Sequence, residues 1–216
     1  MDRSLVMMTR EDKERIFWSS FAPKYDSFMT RVTPAYERIL QLIENELDPS
    51  DHVLEAACGT GLISMRIAPF VQRCFCCDIS PEMIEIARRK AFEAGMANIE
   101  FSVQDVYNLD FEDDSLDAVI LANALHIMVE PEKALSSVKR ILKSEGLLIV
   151  PTYLHGSSFL SRIISVLMGL SGFRAYHRWS AGSFTEFIEN SGFVILRSIP
   201  VKDKIPLLYM SAVKND

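Results

Sequence analysis

The stretch Val53-Leu54-Glu55-Ala56-Ala57-Cys58-Gly59-Thr60-Gly61 decides the fold. Its first half is an apolar run of strand length, its second a tight glycine turn, and a new amphipathic run begins at Leu62. Gly59 and Gly61 permit positive φ and let backbone approach a ligand closely. A glycine pair by itself equally describes an ordinary strand-to-helix turn. The discriminating residue is Asp78, at the end of the next apolar run, 17 positions beyond Gly61. That is about the distance at which a Rossmann-like unit offers a carboxylate to ribose hydroxyls.

Outward from this unit, short apolar runs alternate with longer amphipathic ones. His52 to Ala57, Arg73 to Ile79, Ile99 to Val106, Ala118 to Ala122 and Leu147 to Tyr153 read as strands. Leu62 to Val71, Pro81 to Glu93 and Pro131 to Lys143 read as helices. Strands apolar on both faces and separated by helices imply a mostly parallel sheet covered on both sides. The fold class is α/β. Ser80-Pro81 supplies an N-cap followed by proline at the first helical position. Ser180 to Asn190 reads as a further helix, and Val194 to Pro200 with Pro206 to Val213 as a terminal hairpin.

Residues 1–47 are expected to form an N-terminal helical cap, with helical periodicity over 11–47 broken at Pro23 and Pro34. Residues 48–216 are expected to form the core. Residues 154–179 are expected to be a helical insertion over the carboxyl ends of the strands, and Phe159, Leu160, Ile163, Ile164, Leu167 and Met168 make it a candidate lid.

At 216 residues and 49% hydrophobic composition, one core is expected. The net charge of −6 and the lack of a Lys/Arg block argue against nucleic acid as a partner. Neither a secretory signal nor an apolar run of spanning length is evident, so a cytoplasmic protein without a transmembrane segment is expected. Four cysteines, three of them in Cys74-Phe75-Cys76-Cys77, suit a reducing compartment. In a strand Cys77 faces away from Cys74 and Cys76, so no metal site is expected.

Two nucleoside ligands suit the glycine turn. A dinucleotide needs a helix N-terminus free for pyrophosphate and usually a third glycine, but that position is Ser64, and Glu55 precedes the turn. A carboxylate there repels pyrophosphate and can accept hydrogen bonds from an ammonium. The pattern favours S-adenosylmethionine.

Glu55-x-x-x-Gly59-x-Gly61, Asp78-Ile79-Ser80-Pro81-x-Met83, Gln104-Asp105-Val106 and Leu109 to Asp117 together resemble the class I S-adenosylmethionine-dependent methyltransferases, within them the ubiquinone/menaquinone-biosynthesis-like (type 11) small-molecule group. The likeness covers about residues 15–153. It implies a Rossmann-like, seven-stranded, mostly parallel sheet with an antiparallel C-terminal strand. It implies S-adenosylmethionine as cofactor, S-adenosylhomocysteine as product, and in-line methyl transfer to a small acceptor, hydrophobic if the lid covers it. By position, Glu55, Ala57, Gly59 and Gly61 should bind the cofactor, Glu55 at the methionine ammonium, and Asp78 should hold the ribose hydroxyls. Ile79 and Met83 should flank adenine, Asp105 should accept from its amino group, and Val106 should give backbone contact. Asn123 should border the methionine end, and Tyr25 should cover the cofactor. His126, just past the fourth strand, is the candidate general base; His155 and His177 are weaker candidates for lining an acceptor pocket. The segment after Tyr25-Asp26 lacks the glycine, histidine and tryptophan pattern of the quinone C-methyltransferases, which argues against a quinone acceptor. The rival readings are an NAD-dependent oxidoreductase and a non-catalytic S-adenosylmethionine-binding protein. A monomer and a homodimer both remain open.

Overall fold

A computed structural model describes residues 8–29, 34–154, 175–203 and 206–215, with the side chains of 26–29 excepted. Most of the expected 154–179 insertion, including the candidate lid and His155, lies outside the described residues.

The strands are β1 (His52–Ala56), β2 (Arg73–Asp78), β3 (Ile99–Val103), β4 (Leu116–Ile120), β5 (Leu142–Ile149), β6 (Thr152–Tyr153), β7 (Phe193–Val201) and β8 (Leu207–Lys214). They form one sheet in the order β3-β2-β1-β4-β5-β8, with β7 and the two-residue β6 both paired to β8. The first five strands are mutually parallel, and β8 runs antiparallel to β5, β6 and β7. Seven principal strands with one antiparallel are thus as expected. The stretch read as Leu147 to Tyr153 divides differently: β5 begins at Leu142, and Tyr153 belongs to β6. Lys143, Ser144 and Glu145 interrupt the apolar pattern at the start of β5, and Glu145 takes a φ of 64°.

The helices are α1 (Arg10–Met29), α2 (Pro34–Glu44), α3 (Leu62–Ile67), α4 (Pro81–Glu93), α5 (Pro131–Ile141) and α6 (Ala181–Asn190). Alternation along each strand sends successive side chains to opposite layers. Val53, Cys74, Cys76, Ala118 and Ile120 pack with Ile39 and Ile43 of α2, Ile63 and Ile67 of α3 and Ile84 of α4. Leu54, Cys77, Val119 and Leu148 pack on the other face with Leu135 and Val138 of α5 and Phe184 and Ile188 of α6. The cysteine strand divides as its periodicity requires, and all four cysteines are buried free thiols.

The N-terminal helix also departs from expectation. Pro23 does not break the N-terminal helix; α1 runs through it. Proline removes one backbone donor and crowds the preceding turn, but Arg10 on one side of that point and Tyr25 on the other hold α1 against the rest of the protein. Pro34 starts α2, where its missing N–H costs nothing. No described helix is long and apolar enough to cross a membrane.

Candidate cofactor site

The carboxyl ends of β1, β2, β3 and β4 lie side by side, and the loops that leave them carry most of the expected site residues. The first loop is the most constrained. Ala57, Gly59 and Gly61 have φ of 57°, 55° and 76°, so three alternate residues are left-handed and fold the backbone into a tight cradle. A Cβ at Gly59 would sit 3.3 Å from the Tyr25 ring. Tyr25, on α1, therefore lies directly against this loop, with Phe21 edge-on to it at 6.2 Å between ring centroids.

Asp78 closes β2 and turns toward the same loop. Its Oδ2 accepts from the Gly59 N–H at 2.8 Å and its Oδ1 from the Ser80 N–H at 2.9 Å. Burial raises its pKa, and the hydrogen bonds from the Ser80, Gly59 and Ile79 backbone oppose that rise. Ser80 caps α4 by accepting from the Met83 N–H at 3.1 Å. Met83 is buried and Ile79 half-buried.

Glu55 is 3% exposed. Its Oε2 accepts from the Ser64 N–H at 2.7 Å and from the Ser64 hydroxyl. Burial pushes its carboxyl up to about 7, against the pull of the two Ser64 bonds. The residue read only as a missing third glycine is thus the partner of Glu55. The first turn of α3, where a dinucleotide's pyrophosphate would need free N–H groups, already serves a carboxylate.

On the third loop, Asp105 Oδ1 accepts from the Tyr107 N–H at 3.1 Å, and Val106 is buried behind it. Asp105 Oδ2 pairs with Arg10 of α1, a residue that no motif singles out. Nothing in the sequence marks Arg10, because 95 positions separate the two. On the fourth loop, Asn123 has a φ of 53°, a conformation asparagine tolerates better than most residues. Its N–H donates to Pro151 O at 2.8 Å, and its buried Oδ1 has no hydrogen-bond partner among the described residues. Such an atom is an acceptor left open to a ligand's donor.

His126 is 1% exposed, with Nδ1 3.4 Å from Thr152 Oγ1. The His177 N–H donates to the His126 carbonyl at 3.1 Å, and the His177 ring stacks on Trp179 at 5.1 Å. His126 and His177 therefore lie together beyond the ends of β4 and β5, beside the loop of Asn123.

Residues 54–150 match the methyltransferase domain family. An uncharacterized methyltransferase of Bacillus subtilis, YcgJ, is 33% identical over 116 residues, 53% of this chain and 46% of that protein. A demethylmenaquinone methyltransferase of Paenarthrobacter aurescens is 30% identical over 149 residues, 68% of this chain and 57% of that one. The chain thus spans about half the length of the curated relatives it matches. A crystal structure of a SAM-dependent methyltransferase from Aquifex aeolicus superposes with a TM-score of 0.71 at 18% identity, covering 91% of this chain and 98% of that one. At that identity the likeness is one of fold.

Proposed function

We propose, on the premise that residues 54–150 form a domain of the methyltransferase family, that this protein transfers a methyl group from S-adenosylmethionine to a small-molecule acceptor. The observation that carries the proposal is the meeting of three loops and one ring: the left-handed cradle at Ala57 to Gly61, Asp78 bonded to Gly59, Asp105 on the next loop, and Tyr25 against Gly59. The residues fit the cofactor. Asp78 would take the ribose hydroxyls, with Ile79 and Met83 beside the base and Asp105 and Val106 at its amino edge. Asn123 Oδ1, buried and awaiting a donor, suits the methionine ammonium. Glu55 acts from beneath by holding the loop through Ser64, a more indirect role than its place in the motif suggests.

The bound sulfonium supplies an activated methyl carbon. What remains for the chain is to hold the acceptor in line and keep water away. His126 is the proposed general base for an acceptor that must lose a proton, with its Nδ1 3.4 Å from Thr152 Oγ1. His177, Trp179 and Tyr153 border the same end and suit a compact acceptor with apolar surface. The net charge of −6 favours a small molecule over nucleic acid. A cytoplasmic protein, with residues 1–47 as a cap over a core of 48–216, completes the proposal; it is compatible with either a monomer or a homodimer.

Isothermal calorimetry with S-adenosylhomocysteine tests it. The unaltered chain should bind, and Asp78→Ala should weaken binding about 10- to 100-fold, as expected for loss of charge-assisted hydrogen bonds. Binding of NADH with no binding of S-adenosylhomocysteine would overturn the proposal in favour of an oxidoreductase. Binding without turnover across a broad acceptor panel would favour a non-catalytic cofactor-binding protein.

A further inference from the structure

Arg10 opens α1 and reaches the third loop with both terminal nitrogens of its guanidinium engaged. Nη2 pairs with Asp105 Oδ2, and Nη1 pairs with Glu14 Oε2 at 2.5 Å. The planar group itself lies 4.0 Å from the Tyr107 ring centroid. Tyr107 is fixed in turn, since its N–H donates to Asp105 Oδ1 at 3.1 Å and its hydroxyl accepts from the Glu130 N–H at 2.9 Å. The Asp105 carboxylate is therefore gripped at both oxygens, and each oxygen keeps a further lone pair. A planar, forked cation can meet two carboxylates and an aromatic face together in a way that a compact ammonium cannot.

The grip lies at the place proposed for the amino edge of the base, and the role of Arg10 rests on that reading. We propose that Arg10 is a positioning residue for base recognition: by fixing the Asp105 carboxylate it makes the site select a 6-amino purine over a 6-oxo purine. An exocyclic amino group donates to a fixed carboxylate, whereas a carbonyl there sets acceptor against acceptor. A carboxylate free to rotate can turn away from the carbonyl, so discrimination depends on the grip rather than on Asp105 alone. Glu14 adds a reason for a cation at this point. Burial raises its carboxyl pKa, and Arg10 opposes the rise while separating it from Asp105.

Calorimetry on the full chain with S-adenosylhomocysteine and its hypoxanthine counterpart, S-inosylhomocysteine, tests the assignment. The unaltered protein should prefer the adenine compound by about 10- to 100-fold, the worth of one hydrogen bond to a charged group. In Arg10→Ala the preference should shrink to within about threefold, chiefly through weaker binding of the adenine compound. Arg10→Lys should recover part of it. Ser19→Ala cuts a different tie of α1, the 3.1 Å contact between Ser19 Oγ and Ser80 Oγ, and should lower both affinities together while the preference stands. Equal losses for both compounds in Arg10→Ala, or no loss, would overturn the Arg10 assignment alone. So would tighter binding of the adenine compound, the mark of an arginine that blocks the site. Absence of binding to either compound by the unaltered chain would overturn the methyl-donor reading and this one with it.

Discussion

Ala57 carries a side chain at a φ of 57°, where a Cβ costs roughly 1–2 kcal/mol. Relief of that strain exceeds the added flexibility glycine brings to the unfolded chain. Ala57→Gly should therefore raise stability by about 0.5–1 kcal/mol in urea unfolding. Gly59→Ala should do the opposite, since it adds a left-handed side chain 3.3 Å from the Tyr25 ring. Glu55 makes a pH prediction. Its carboxyl titrates near 7 in the folded protein against an ordinary value of 4.5. The folded state thus holds a proton that the unfolded state has lost between those values, and this contribution to stability, complete below pH 4.5, is lost as pH rises through 7. The loss is on the order of 3 kcal/mol. Burial raises the Asp78 carboxyl as well, so its contribution is likewise lost as pH rises above its ordinary value. Glu55→Gln should flatten the stability curve over this range in urea unfolding at several pH values; an unchanged slope would show that Glu55 ionises normally. At this scale the sequence displays the glycines and acids themselves but not their partners. Ser64 meets Glu55 across 9 positions and Arg10 meets Asp105 across 95, and no local pattern encodes such pairings.

Among the elements, the start of α4 is legible to the residue, because Ser80-Pro81 states it chemically and the side chain caps the Met83 N–H as that chemistry requires. Ser80→Ala should cost about 1 kcal/mol for the cap, with a further loss from the severed contact to Ser19. Urea unfolding should show the cost, while Ser19→Ala alone should show only the smaller part. α1 departs from expectation at Pro23 for a physical reason. Helix propensity speaks for isolated chain, and this helix is held from outside by Arg10 on Asp105, Ser19 on Ser80 and Tyr25 on the Gly59 loop. All three anchors are parts of the proposed cofactor site, so α1 and that site order each other. The start of β5 escapes the apolar pattern because the strand is irregular at Glu145, which breaks the two-residue period that marks a strand.

For the molecule as a whole, alternation of strand and helix is enough to place the two apolar layers, since burial on both faces dictates the composition of the central strands. The position of β8 is not legible. Its apolar run looks like any buried strand, and only tertiary pairing inserts it between β5 and β7. Residues 207–212 of β8 are all buried, and Tyr209 Oη reaches Leu42 O of α2 at 3.3 Å. The last described strand is therefore interior to the sheet rather than appended to its rim. During synthesis β5 leaves the ribosome with an open edge and keeps it until residues 207–214 have followed. The parallel half of the sheet waits through that interval with the β5 edge unpaired, which is when a nascent chain of this topology most needs protection from aggregation.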